Sequence, residues 1–287
     1  MQNRKVYTFL KDVGGVLQEE AAAVMDIIIP RICAVCGRTL TSGEKYLCIY
    51  CEADMPLTYY WRQRKNPMAD KVNALIQANF EKALSESPTG GDNARTPKYS
   101  FAAALFFYHG ESQYKKIPQR LKYLGDIDIG RFYAEMLGEF LRGADTFSDI
   151  DAVIPVPLHW ARQWKRGYNQ AEVIAKAVAE VFGIPVRTDI LLREKSTKTQ
   201  TKLGVEAKRI NVSNAFTLSK KANSEIKAGI RYGSLYGKSR KNTGHILIVD
   251  DVFTTGATLS ACINVLQPYF GSSIRISCAT LGFVNSG

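Results

Sequence analysis

The chain has 287 residues, of which 46% are hydrophobic, and a formal net charge of +11; this suits a globular protein with one large and one small domain. No apolar run approaches the roughly 20 residues that cross a bilayer, so no membrane segment is expected. Lys11, Asp12, Glu19, Glu20 and Asp26 interrupt the apolar pattern of residues 6–29, which excludes a signal peptide and points to a cytoplasmic protein whose charge favours polyanionic partners.

The first predicted element is a helix within residues 3–29, with apolar side chains at Val6, Phe9, Leu10, Val13, Val16, Leu17, Val24 and Ile28. Gly14 and Gly15 weaken it. Next come Cys33-Ala-Val-Cys36 and Cys48-Ile-Tyr-Cys51, two CxxC pairs eleven residues apart around a turn-rich spacer. Each CxxC spacing lets two thiolates chelate one tetrahedral ion, so Cys33, Cys36, Cys48 and Cys51 read as a zinc ribbon or knuckle. Two disulfides suit a cytosolic protein poorly, and a redox pair needs only one CxxC. Four thiolates leave no open position, so the Zn²⁺ is expected to be structural. It would supply on the order of 10 kcal/mol of folding energy to a segment too small for a core.

A helix is predicted over 67–84, then a linker over 85–97 rich in Ser, Gly and Pro. The expected organisation is 1–61 as helix and zinc module, 62–98 as helix and linker, and 99–287 as an α/β domain. Within the last, strands are predicted at Phe101–Tyr108, Asp151–Pro157, Pro185–Leu192 and Ile274–Gly282, and helices over 130–142 and Ala171–Phe182. Alternating strands and helices imply a mostly parallel sheet flanked by helices. Residues 187–245 carry 14 Lys and Arg against 4 Asp and Glu, a local excess of +10 that suits a pyrophosphate or a nucleic-acid backbone, or a merely solvated loop. Cys262 and Cys278 fall on core positions and read as buried and inert.

The most informative stretch is His245-Ile-Leu-Ile-Val-Asp-Asp-Val-Phe-Thr-Thr-Gly-Ala-Thr-Leu-Ser260. A buried strand stops at two acids, Asp250 and Asp251; a small-residue turn, Thr254-Thr255-Gly256-Ala257-Thr258, leads into a helix. Strand, small turn and helix together aim backbone N–H groups at an anion. Three threonine hydroxyls add donors, and Gly256 lets the backbone approach. A phosphate on the turn and a neutral diol on the acids make a sugar 5-phosphate the natural ligand. An ATPase reading fails: Gly233-Ser-Leu-Tyr-Gly-Lys-Ser239 encloses three residues between its glycines where a P-loop needs four.

This stretch resembles the phosphoribosyl-pyrophosphate (PRPP) motif of type I phosphoribosyltransferases. With Met55-Pro-Leu57, Tyr108-His-Gly110, Leu121-Lys-Tyr123, Gly125-Asp126, Pro155-Val-Pro157, Arg166-Gly-Tyr-Asn-Gln170 and Gln200…Leu203…Arg209-Ile-Asn211…Phe216, the whole chain resembles the ComF family of bacterial DNA-uptake competence, described as amidophosphoribosyltransferase-like. The departures are a long segment over 62–98 and a basic insertion over 219–243.

The resemblance implies a phosphoribosyltransferase type I fold with an N-terminal zinc module. It also implies Asp250 and Asp251 on the ribose hydroxyls, residues 254–258 around the 5-phosphate, and Mg²⁺ bridging PRPP oxygens. Arg162, Lys165, Arg166, Asn169 and Gln170 would serve the pyrophosphate, although Asn169 also reads as a helix cap. Gln200, Lys202 and Arg209 would belong to a closing loop. His159 reads as structural, and His109 and His245 as surface or strand-end groups. No nucleophile or general base stands out, which suits a transfer driven by positioning and charge stabilisation. The implied function is Mg-dependent phosphoribosyl transfer to a nitrogenous acceptor. The alternatives are a competence factor handling single-stranded DNA beside competence-machinery proteins, and a PRPP-sensing regulator.

Overall fold

The computed structural model describes residues 30–86, 97–107, 112–194, 215–227, 244–270 and 274–284. The predicted helix within 3–29 and most of the predicted linker lie outside them. The chain forms two compact units, Met1–Met55 and Pro56–Gly287.

The smaller unit turns on a bridge between Ile32 and Thr39 and a short helix, α1 (Ile49–Ala53). Glu44 organises it: its carboxylate accepts from the backbone N–H groups of Thr41 and Ile49, each at 2.7 Å. Those two bonds hold its pKa below the ordinary carboxylate value. Cys33, Val35, Leu40, Leu47 and Cys48 are buried.

In the larger unit, α2 (Pro67–Glu86) precedes β1 (Ala102–Phe107), and a short helix, α3 (Lys116–Gln119), runs into a π-helical turn at Arg120–Leu124. Helix α4 (Ile127–Arg142) leads to β2 (Ala152–Pro155), α5 (Trp160–Arg166) and α6 (Gln170–Phe182). Then follow β3 (Leu191–Arg193), β4 (Phe216–Leu218), α7 (Lys220–Lys227), β5 (Gly244–Phe253), α8 (Ala257–Phe270) and β6 (Ile274–Phe283).

Four strands form one sheet in the order β1-β6-β5-β2, every pairing parallel. Ile246 to Val249 of β5 are all fully buried, as a strand covered on both faces requires. Helices α4 and α6 pack on each other, with α6 against β2 and β5, while α8 packs on α2 and on β5 and β6. In α4, Ile129, Tyr133, Leu137 and Leu141 recur every four residues and are fully buried. Gly138 of α4 lies so close to α6 that an added Cβ would stand 3.1 Å from Val181 Cβ.

The 67–84 helix is present as α2, and packing ties it to the sheet. Met68, Ala69 and Val72 are fully buried, and the Asn66 and Asn73 amides donate to Ala102 O and Ser100 O at 2.9 and 2.8 Å. Two strand predictions need correction. Residues 185–190 do not continue the sheet beyond one parallel bridge between Val153 and Val186; the strand is Leu191–Arg193, antiparallel to β4 in a separate pair. The chain bends at Asp189, whose carboxylate accepts from Arg187 Nε at 2.7 Å and Lys221 Nζ at 2.6 Å. Strand β5 also runs on past the acids to Phe253, because β6 continues to pair with it through Phe253↔Phe283.

Candidate functional site

The acids ride near the carboxyl end of β5, where parallel α/β sheets place their ligands. Behind them the chain turns at Gly256, whose φ is +79°; an added Cβ would stand 2.8 Å from Phe253 Cζ. Only glycine suits both the conformation and the space. Helix α8 opens at Ala257, directly after the turn, so its N-terminal end carries the positive end of the helix dipole on the segment that follows the acids.

A cavity of about 530 Å³ collects most of the predicted residues. Asp250, Asp251, Thr254 and Thr258 line it from β5 and the turn, and Arg162, Arg166, Asn169 and Gln170 from the segment after β2. Thr255, Gly256 and Ala257 build the turn without lining the cavity; Thr255 Oγ1 accepts from Ala257 N at 3.5 Å. Gln200, Lys202 and Arg209 lie outside the described residues.

Among the lining residues given no site role in the sequence reading are Lys122 and Tyr123, although quoted within the Leu121-Lys-Tyr123 motif, and Arg193. The π-turn that carries the first two ends at Gly125 in the left-handed region, φ +71°. It is clamped by Arg120, whose guanidinium lies 2.8 Å from Asp126 Oδ2, while Asp126 caps α4 through Ile129 N. Lys122 Nζ thereby reaches Asp251 Oδ2 at 3.2 Å.

The electrostatics are asymmetric. Burial, and then the adjacent Asp251 charge, push the Asp250 carboxyl up to about 7, against the pull of Lys122 and Arg193. Burial pulls the Lys122 ammonium down, but Asp251 and Asp250 outweigh it and leave its pKa raised. Burial, followed by neighbouring Arg162, lowers that of Arg193. Two carboxylates and several cations thus share a recess that favours a ligand carrying both hydroxyls and phosphates.

Asn169 is a cap as well as a lining residue. Its Oδ1 accepts from Ala171 N at 3.2 Å and its Nδ2 donates to Val156 O at 3.0 Å, fixing α6 to the end of β2. Gln170 is 3% exposed; its Oε1 accepts from Arg166 Nη1 at 2.9 Å, and its buried Nε2 has no acceptor among the described residues. His159 is structural, as expected: it caps α5, with Nδ1 accepting from Ala161 N. His245 is a strand-end group, the second residue of β5. It is 1% exposed and held between Asp149 Oδ1 and Ser277 Oγ, each at 2.7 Å. His109 lies outside the described residues. Cys262 and Cys278 are buried, and burial raises the pKa of both thiols.

In the smaller unit the sulfurs of Cys33, Cys36, Cys48 and Cys51 lie within 4.8 Å of one another, with Cys36 and Cys48 at 3.6 Å. A tetrahedral ion with Zn–S bonds of about 2.3 Å holds its thiolates about 3.8 Å apart, so the set fits zinc. Burial raises the Cys33 thiol, but backbone N–H groups of Cys36, Cys48 and Val35 outweigh it and bring it down to about 6. Burial and the neighbouring thiols push Cys51 up, the unequal sharing of protons expected where four thiols crowd together.

No protein-family model matches the chain. It is 33% identical over 161 residues to Competence protein F of Haemophilus influenzae, covering 55% of this chain and 63% of that protein. It is 22% identical over 255 residues to DNA utilization protein YhgH of Salmonella typhimurium, covering 88% and 97%. The adenine phosphoribosyltransferase of Leishmania donovani aligns over 59% of this chain and 56% of its own, with 13% identity and a TM-score of 0.30; at that score the fold reading rests on this chain's own strand order and turn. No helix among the described residues is long and apolar enough to cross a membrane. The chain thus joins the acid pair, the Thr-Gly turn and the four-cysteine cluster, and it is similar in sequence to Competence protein F and to DNA utilization protein YhgH.

Proposed function

We propose that the chain binds PRPP and transfers its phosphoribosyl group to a nitrogenous acceptor. The observation that carries this reading is the lining of one cavity by Asp250, Asp251, Thr254 and Thr258 together with Lys122, Arg162, Arg166 and Arg193. In it, Asp250 and Asp251 accept hydrogen bonds from the ribose hydroxyls. The hydroxyls of Thr254 and Thr258, with the turn amides, donate to the 5-phosphate. Arg162, Arg166 and Arg193 balance the pyrophosphate as charge gathers on it during departure. Lys122 shields the acid pair so that both carboxylates can meet one sugar. Mg²⁺ is held by one or two carboxylates plus substrate phosphates in many sites, and the acid pair fits that role; bound there it would neutralise pyrophosphate charge.

The names of the relatives, Competence protein F and DNA utilization protein, support a place in DNA uptake and use. The binding claim is tested by thermal unfolding with PRPP, ribose 5-phosphate or pyrophosphate, each with and without Mg²⁺. PRPP with Mg²⁺ is expected to raise Tm by several degrees at 100 times Kd, which corresponds to about 2.7 kcal/mol. No shift with any of the three would remove the reading.

A further inference from the structure

The acid pair has a cation of its own. Lys122 Nζ lies 3.2 Å from Asp251 Oδ2, and the Asp251 side chain is only 10% exposed. Against the cost of burial, the two acids keep the lysine's pKa raised, so the group on Asp251 is an ammonium. Its backbone is pinned. Lys122 sits in the π-helical turn Arg120–Leu124, which the Tyr168 hydroxyl ties down by donating to Leu121 O and the Arg120–Asp126 ion pair closes. Movement is thereby left to the side chain. Leaving Asp251 would carry the ammonium into an adjoining recess of about 710 Å³ that it also lines. Arg162, Lys165 and Arg166 line that recess too, and none of its described lining residues is an acid.

This placement deepens the PRPP reading and rests on it. Lys122 would have to yield Asp251 to any divalent cation held there, because like charges a few ångströms apart repel strongly in a partly buried recess. Yielding to a bare ion would drive its ammonium among three further cations. Yielding to an ion that arrives with phosphates attached supplies the anions it needs there. We propose that Lys122 is a positioning residue that holds the place of the divalent cation on the acid pair, so that metal and phosphates enter the site together or not at all. The side chain turns from Asp251 to the incoming phosphates as they arrive. The acids exchange one cation for another, and no buried carboxylate is left unpaired. Free metal therefore does not tie up the empty site.

Titration of the zinc-replete full chain with Mn²⁺, an ion that also suits carboxylate oxygens, tests this without turnover, the free ion being followed by electron spin resonance. Lys122→Met should bind Mn²⁺ alone at least about 10-fold more tightly than wild type, since it removes the competing charge and keeps the side chain's length. Lys122→Arg should stay within about twofold of wild type. Adding Asp251→Asn to Lys122→Met should abolish the gain, which places the ion on the acid pair. PRPP titrated calorimetrically at saturating Mn²⁺ should bind Lys122→Met about 10-fold more weakly than wild type. Equal Mn²⁺ affinity in wild type and Lys122→Met, none in either, or a gain that survives Asp251→Asn would overturn the proposal. A wild type that does not bind PRPP would overturn the sugar-phosphate reading, while the Mn²⁺ comparison, made without PRPP, decides the place of Lys122 by itself.

Discussion

At the residue scale the decisive group is Asp250. Its folded pKa of about 7 lies above the ordinary 3.8, so the stability it permits is fully present below about pH 4. That stability is lost as pH rises through about 7 and the buried carboxyl ionises beside Asp251. Asp250→Asn should therefore stabilise the ligand-free chain at pH 8 by roughly 1–3 kcal/mol and change little at pH 4, as read from Tm across that range. An equal effect at both pH values would mean that the ionised acid is not strained. Gly256→Ala should cost about 1–3 kcal/mol in urea unfolding, because φ is +79° and Phe253 fills the space. The acid pair and glycine were legible in the sequence because all three lie within a few residues of one another. Lys122 was not: it stands 129 positions before Asp251, and only the sheet brings them together. His245 was read as a surface or strand-end group and does open β5, but its partners Asp149 and Ser277, distant in sequence, could not be read.

At the element scale, the segment between β2 and α6 shows how scaffold and site share residues. Asn169 caps α6 and holds Val156 O, while Arg166 reaches Gln170 from an exposed helix. Asn169→Ala should lower stability by about 1–2 kcal/mol in urea unfolding, whereas Arg166→Ala, which leaves the buried Gln170 Oε1 without its donor, should cost about 1 kcal/mol and weaken ligand affinity as well. The helices α2, α4 and α6 followed from apolar spacing, and β5, β6 and β1 from apolar runs. Residues 185–190 defeated that logic. Their apolar content reads as a strand, but they pair with β2 only around Val186, and beyond it Asp189 is taken up by ion pairs with Arg187 and Lys221. A tertiary contact overrode local propensity.

At the scale of the whole molecule, the chain joins two units of different physical kinds. The larger holds itself together by a sheet buried between helices; the smaller, among its described residues, buries only a handful of apolar side chains and gathers four sulfurs within 4.8 Å. We expect one Zn²⁺ per chain by elemental analysis. Stripping it with a strong chelator should abolish the folding signal of the smaller unit while the larger unit's unfolding transition persists; a metal-free chain with both transitions intact would contradict this. The paired CxxC spacing made that unit legible from sequence alone, whereas of the cavity's cations Arg162 and Arg166 were read there and Lys122 and Arg193, from two other segments, were not. The most direct test of the central claim is calorimetric titration of PRPP, with and without Mg²⁺, into wild type and the Asp250→Asn/Asp251→Asn double variant. The account predicts Mg-dependent, saturable binding that the double variant weakens at least about 100-fold, the loss of two charge-assisted hydrogen bonds. Equal affinity in the two proteins, or no binding to wild type, would contradict it.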